Sequence, residues 1–220
     1  MGEEEWRVHR AGAPSLDHLR RQPLLNREEI EKRLQFNFQT PTILVAYHPM
    51  TIARDTLQEV EALYTALVSL SEQILFCYPN ADAGSRALIE RTRSFVASQG
   101  RGKIFTNLGT VMYLSLLRHV DVLVGNSSSG IMESASFSLP TVNVGLRQQG
   151  RERPRNVLDA DADPDSVLHA IARARAPEFR ESLSGMVNPY GEGRASETIV
   201  RVLTAVPLSQ TLLMKRHSEL

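Results

Sequence analysis

A doubly wound parallel α/β sheet is the fold class that the sequence predicts, and three observations predict it. Continuous apolar runs of strand length alternate with segments of helical periodicity. The runs lack the polar alternation of a sheet with one wetted face, as expected for parallel strands covered by helices on both sides. Glycine, asparagine, serine and arginine are concentrated in the loops that follow the runs, at the carboxyl edge where an open parallel sheet forms its binding crevice.

The elements follow in order. Residues 1–40 form an irregular entering arm, with an acidic start at Glu3, Glu4 and Glu5, a turn at Gly12-Ala13-Pro14, and a short helix expected over Arg27–Leu34. Residues 42–47 give the first strand. After His48-Pro49 a helix is expected over 55–70, with apolar positions at Leu57, Val60, Leu63, Ala66 and Leu67. The unit repeats as a strand at Gln73–Tyr78 with a helix at 86–98, then a strand at 103–105 with a helix at 111–117. A fourth strand at 121–124 runs into Gly125-Asn126-Ser127-Ser128-Ser129-Gly130 and a helix at 131–137. Strands at 140–144 and 156–158, a helix at Pro164–Arg175, the turn cluster Asn188-Pro189-Tyr190-Gly191-Glu192-Gly193 and a helix at 195–203 complete the pattern. The expected organisation is an arm over 1–40, one Rossmann-like domain over 41–206 and a tail over 207–220.

Bulk properties narrow the function. Across 220 residues, 25 Lys and Arg balance 25 Asp and Glu, so no global basic field recruits nucleic acid. The single Cys77 forms no internal disulfide and is expected to fill core, in keeping with a reducing cytoplasm. No run approaches the roughly 20 apolar residues of a membrane helix, so no membrane role is expected. The Gly-x-Gly-x-x-Gly and Gly-Lys-Ser/Thr patterns are missing, which argues against a dinucleotide fingerprint and a P-loop. Neither a cofactor nor a metal is expected.

Strand, then Gly-Asn-Ser-Ser-Ser-Gly, then helix suits an anion. Small residues let backbone N–H groups approach, the helix dipole favours negative charge, and Ser127, Ser128 and Ser129 add hydroxyls. An ordinary N-capping loop reads the same way. Glu133, one turn on, has the chemistry to accept both ribose hydroxyls of a nucleotide whose phosphates sit at the helix start, or is a solvated helix residue. Arg147, Arg151 and Arg153 fall at the same sheet edge, where a guanidinium fork suits a diphosphate, although a solvated charged loop would look alike. His48 follows a buried strand and should project into the crevice, as a phosphate donor, a proton shuttle or a structural histidine. Asn80, Leu108 and Tyr113 end the second and third units and suit a pocket for sugar and base, as well as caps and packing.

Taken together, His48-Pro49, Asn80, the Asn-Ser-Ser-Ser-Gly loop with Glu133, Gly145-x-Arg147-Gln148-x-Gly150-Arg151 and Asn188-Pro189-Tyr190-Gly191-Glu192-Gly193 resemble the carboxy-terminal domain of the UDP-N-acetylglucosamine 2-epimerase family. The serine-rich loop with Arg-Gln-x-Gly-Arg downstream is similar to its hydrolysing branch. The resemblance spans roughly residues 8–205 and implies the second half of a glycosyltransferase-B arrangement, with substrate between two Rossmann-like domains. It implies that Ser127 and Ser128 hold the diphosphate, Glu133 the ribose, and Arg147 and His48 the phosphates. Leu108 and Tyr113 would then meet the uracil, with Asn80 near the nucleotide sugar. The reaction implied is anti elimination of UDP from UDP-GlcNAc, then water addition giving N-acetylmannosamine and UDP.

In that family the sugar-side acid and base belong to the amino-terminal domain, for which residues 1–40 are too few. Gly12-Ala13-Pro14-Ser15-Leu16-Asp17-His18-Leu19 resembles the segment just before the second domain. The expectation is therefore a fragment, a split-gene product that pairs with a separately encoded amino-terminal domain, or a degenerate nucleotide binder. The complete enzyme is expected to be a homo-oligomer. A UDP-sugar glycosyltransferase-like domain and a noncatalytic nucleotide-sugar-binding module are the alternatives.

Overall fold

A computed structural model describes residues 3–39, 41–48, 56–78 and 85–214. The first residue of the helix expected at 55 and the last six residues of the tail lie outside it.

Six strands form one sheet: β1 (Thr42–Ala46), β2 (Gln73–Tyr78), β3 (Gly102–Thr106), β4 (Val122–Gly125), β5 (Thr141–Val144) and β6 (Val157–Ala160). Their order is β3-β2-β1-β4-β5-β6, and every pair is parallel. The reason for the uninterrupted apolar runs is visible in β1. Ile43, Val45 and Tyr47 enter one core with helices α3 (Thr56–Val68), α4 (Ser85–Gln99) and α7 (Pro164–Arg175). Leu44 and Ala46 enter the other, with α2 (Arg27–Leu34) and α5 (Thr110–His119). A strand buried on both faces favours apolar side chains at every position, and Thr42, the polar residue that opens β1, is hydrogen-bonded to Gln39 O and Gln73. Helix α2 begins with a capping box in which Asn26 and Glu29 satisfy each other's backbone N–H, and α7 begins with the Asp163 cap ahead of Pro164.

The helix expected at 131–137 is realised as one α-turn, α6 (Ser129–Met132), followed by a 3-10 turn at Ser134–Phe137. The Ser134 hydroxyl donates back to the Gly130 carbonyl at 2.7 Å, a local competitor of the helical ladder, and Ser138 ends the segment in left-handed geometry at φ 49°. The strand expected at 156–158 starts one residue later. Asn156 is fully buried, and its amide donates to Leu139 O at 2.7 Å and Ser134 Oγ at 2.9 Å. Two short helices, α1 (His18–Arg21) and α8 (Pro177–Ser182), were not anticipated. Helix α9 (Ala195–Ala205) runs two residues beyond its expected end, and a further turn, α10 (Gln210–Leu213), lies in the expected tail. No helix among the described residues is long and apolar enough to cross a membrane.

The arm is packed rather than loose. Leu16 is fully buried, and Asp17 accepts the N–H groups of Ala195 at 2.9 Å and Ser196 at 2.8 Å, so it caps α9 from the other end of the chain. Hydrogen bonds from Ser196, supported by Ala195 and the Arg21 charge, hold the Asp17 carboxyl below its ordinary value of 3.8. Gly193 is required beside it, because a Cβ there would lie 2.6 Å from Leu16 O.

Candidate functional site

Strand order reverses between β1 and β4, so the loops leaving these strands diverge and open a crevice. Gly125 ends β4 at φ 139°, and a Cβ on it would stand 2.2 Å from Ala46 O, so the two strand ends approach as only glycine permits. Asn126, fully buried, then locks the loops together. Its Oδ1 accepts His48 N–H at 2.7 Å and its Nδ2 donates to His48 O at 2.9 Å. The Asn126 carbonyl accepts Gln148 Nε2 at 2.7 Å and Arg147 Nη1 at 3.0 Å, which brings the loop after β5 to the same point.

The serines divide. Ser127 Oγ accepts Ser129 N–H at 3.3 Å, a local cap, and Ser127 N–H donates to Ala46 O at 3.2 Å. Ser128 stands at the start of α6 in helical geometry and makes no capping bond with its side chain. With one α-turn behind it, α6 supplies little macrodipole, and local N–H and hydroxyl donors dominate the anion chemistry here. Glu133 is 9% exposed, so it is not a solvated helix residue, and its buried Oε2 meets no hydrogen-bond partner.

Two adjoining cavities share Leu108, Tyr113 and Ser129. One, of about 230 Å³, is bounded by His48, Ser127, Cys77, Tyr78, Phe105 and Asn107 in addition. The other, of about 330 Å³, adds Ser128, Glu133, Ser15 and His18. Burial pushes the Cys77 thiol up to about 12. Burial, with smaller contributions from Cys77 and Glu133, holds the Tyr113 phenol above its usual range, against the opposing hydrogen-bond influence of Ser129. Both groups stay neutral at physiological pH.

Thus His48, Leu108, Tyr113, Ser127, Ser128, Ser129 and Glu133 gather around one crevice, whereas Arg147, an exposed residue, lines neither cavity and donates to the Asn126 backbone carbonyl. Arg151 does not line the crevice either. Its exposed side chain meets Met132 sulfur, at the end of α6, at 3.7 Å. Arg153 is engaged by Asp159 at 3.1 Å and by Gln148 O at 2.7 Å, as the charged-loop reading has it. Asn80 lies outside the described residues. Asn126 was missed as a residue that builds the site, and Ser15 and His18 were missed as residues lining the second cavity. Asn126 sat inside the motif, and its one signal is a side chain with matched donor and acceptor between Gly and Ser. Ser15 and His18 carried an i, i+3 spacing, which puts two residues on one face where a 3-10 turn runs into a helix.

A six-stranded parallel sheet in this order, with its crevice at the reversal and an anion-suited loop beside it, is a Rossmann-like domain of the kind that forms the second half of a glycosyltransferase-B fold. The family model for UDP-N-acetylglucosamine 2-epimerase matches residues 1–204, and the chain belongs to that family. It is 33% identical over 217 residues to the UDP-N,N'-diacetylbacillosamine 2-epimerase (hydrolyzing) of Legionella pneumophila, covering 98% of this chain and 56% of that protein. It is 32% identical over 185 residues to the GDP/UDP-N,N'-diacetylbacillosamine 2-epimerase (hydrolyzing) of Campylobacter jejuni, covering 83% and 48% respectively. The chain spans about half the length of these curated relatives. Among solved structures, the UDP-GlcNAc 2-epimerase of Methanocaldococcus jannaschii, in complex with UDP-GlcNAc and UDP, superposes with a TM-score of 0.70. That match has 18% identity and covers 93% of this chain and 57% of the other.

Proposed function

We propose that this chain binds the UDP end of a UDP-2-acetamido sugar and serves as the leaving-group half of a hydrolysing 2-epimerase. One observation carries the reading: Glu133, with a buried carboxylate oxygen that has no protein partner, lines the same cavity as Ser128, which supports a carboxylate for ribose hydroxyls beside donors for phosphate. Ser127 and Ser128 take the diphosphate, with Ser129 beside them, Arg147 and His48 neutralise its oxygens, and Leu108 and Tyr113 receive the uracil. Arg151 joins only if its loop turns inward, and Asn80 meets the sugar side. Residues 41–206 are the UDP-binding domain, entered through 1–40 and followed by the tail at 207–220.

In the reaction, a base removes the proton at C2 of the sugar while the C1–O bond to UDP breaks, giving a 2-acetamidoglucal and UDP. Water then adds across the double bond and yields the free C2-epimeric sugar. Negative charge grows on the departing diphosphate, so fixed N–H, hydroxyl and guanidinium donors at this crevice lower the barrier. The sugar-side acid and base are assigned to a second Rossmann-like domain, supplied on a separate chain or in a longer one, for which the additional length of the curated relatives leaves room. The whole enzyme would be a cytoplasmic homo-oligomer. Both UDP-GlcNAc and UDP-N,N'-diacetylbacillosamine fit the proposed chemistry, which acts on the C2 acetamido group they share. The relatives' names favour the second, and free sugar released from each distinguishes them.

Thermal melts test the binding step. UDP at about 100 times its Kd stabilises the fold by about 2.7 kcal/mol, raising the melting temperature while ADP and GDP leave it in place. No shift at millimolar UDP contradicts the proposal.

A further inference from the structure

The residues lining the Glu133 cavity include two from the entering arm, Ser15 and His18, to which nothing above gives a part in the site. Their presence follows from local geometry. Pro14–Asp17 is a 3-10 turn that runs directly into α1 at His18, and residues three apart share a face in either geometry, so positions 15 and 18 lie together while 16 and 17 face elsewhere. The two intervening residues fix the orientation. Leu16 is fully buried, and Asp17 is held on the start of α9 by Ala195 and Ser196. Gly12 and Ala13 are fixed in turn against Tyr190, whose carbonyl accepts Ala13 N–H at 2.8 Å.

Ser15 therefore has little freedom, and its hydroxyl oxygen is buried without a hydrogen-bond partner. So is Glu133 Oε2, in the same cavity. A buried polar atom without a partner destabilises the fold unless something satisfies it. The arm thus brings a hydroxyl and an imidazole to the lining of the same cavity of about 330 Å³ as a carboxylate. That chemistry suits a group rich in both donors and acceptors, as ribose and a pyrimidine edge are, and it does not suit a bare diphosphate.

We propose that Ser15 and His18 form the nucleoside wall of the site, hydrogen-bonding the ribose or base of a nucleoside diphosphate whose ribose Glu133 holds. The arm is then a binding element and not only a connection. This rests on the UDP reading above.

Calorimetric titration with UDP and with inorganic pyrophosphate separates the two. Ser15→Ala and His18→Gln each lower UDP affinity about tenfold and leave pyrophosphate affinity unchanged, with melting temperatures of the free proteins within a few degrees of wild type. If wild type binds UDP and both variants bind it equally well, the nucleoside wall is overturned while the UDP reading stands. Failure of wild type to bind UDP overturns both. Equal losses for UDP and pyrophosphate also overturn the proposal, because they assign the arm to the phosphates. Should Ser15→Ala prove unstable, Ser15→Thr keeps the hydroxyl and restores stability without the tenfold loss, and His18→Gln carries the test independently.

Discussion

Asn126 and His48 are joined twice, by a 2.7 Å bond from His48 N–H to Oδ1 and a 2.9 Å bond from Nδ2 to the His48 carbonyl. One buried carboxamide thereby fixes the spacing of the two loops that diverge at the strand reversal, and the Asn126 backbone carbonyl collects Arg147 and Gln148 from a third. Replacing it by alanine leaves partly buried backbone groups without partners. Asn126→Ala is expected to lose about 1–3 kcal/mol in urea unfolding, together with UDP binding, because the serine loop is no longer held against β1.

Gly125 makes the same approach possible from the backbone. At φ 139°, with a Cβ position 2.2 Å from Ala46 O, Gly125→Ala must separate β1 from β4. The expected cost exceeds the roughly 1–3 kcal/mol of backbone strain alone. The unfolding midpoint falls further than for Gly150→Ala, whose Cβ meets nothing within 4 Å at a similarly positive φ of 83°.

Asp17 gives the fold an acid limb. Its carboxyl is held below 3.8 by Ser196 and Ala195, so the folded state favours the charged form. That contribution is complete above the unfolded pKa of about 3.9 and disappears as pH falls through the lower folded value. Asp17→Asn should melt below wild type at pH 7, and the two melting temperatures should converge below about pH 4. A constant gap across that window would remove the carboxylate from the explanation.

Cys77 tests whether the crevice floor is closed. Burial pushes its thiol up to about 12, so almost no thiolate is present at pH 8. Iodoacetamide should label the native chain slowly and the urea-unfolded chain fast. Equal rates would mean that the cavity beside Tyr113 is open to reagent.

The strands were legible because burial on both faces leaves an unbroken apolar run, and Gln73–Tyr78 matches residue for residue. At the sheet edge the signal weakened. β6 alternates between buried and exposed positions, and Asn156, which looks like a strand residue, instead satisfies Leu139 and Ser134. The break after Met132 depends on a single serine hydroxyl turning back to Gly130. For the site, Ser128, Glu133 and His48 were readable because strand–loop–helix order alone places them at the crevice. Arg151 was not, because the same loop that sends Arg147 to Asn126 sends Arg151 to Met132. The arm was beyond local reading, since Asp17 finds its partners 178 and 179 residues away.

The claim that Glu133 receives the ribose is tested most directly by UDP titration of wild type and Glu133→Gln. A charged hydrogen bond contributes about 1.5–3 kcal/mol, so the variant should bind UDP about 10- to 100-fold more weakly. Its melting temperature without ligand should not fall, because the replacement is isosteric and Oε2 forms no hydrogen bond to the protein that could be lost. Unchanged UDP affinity in Glu133→Gln would contradict the account.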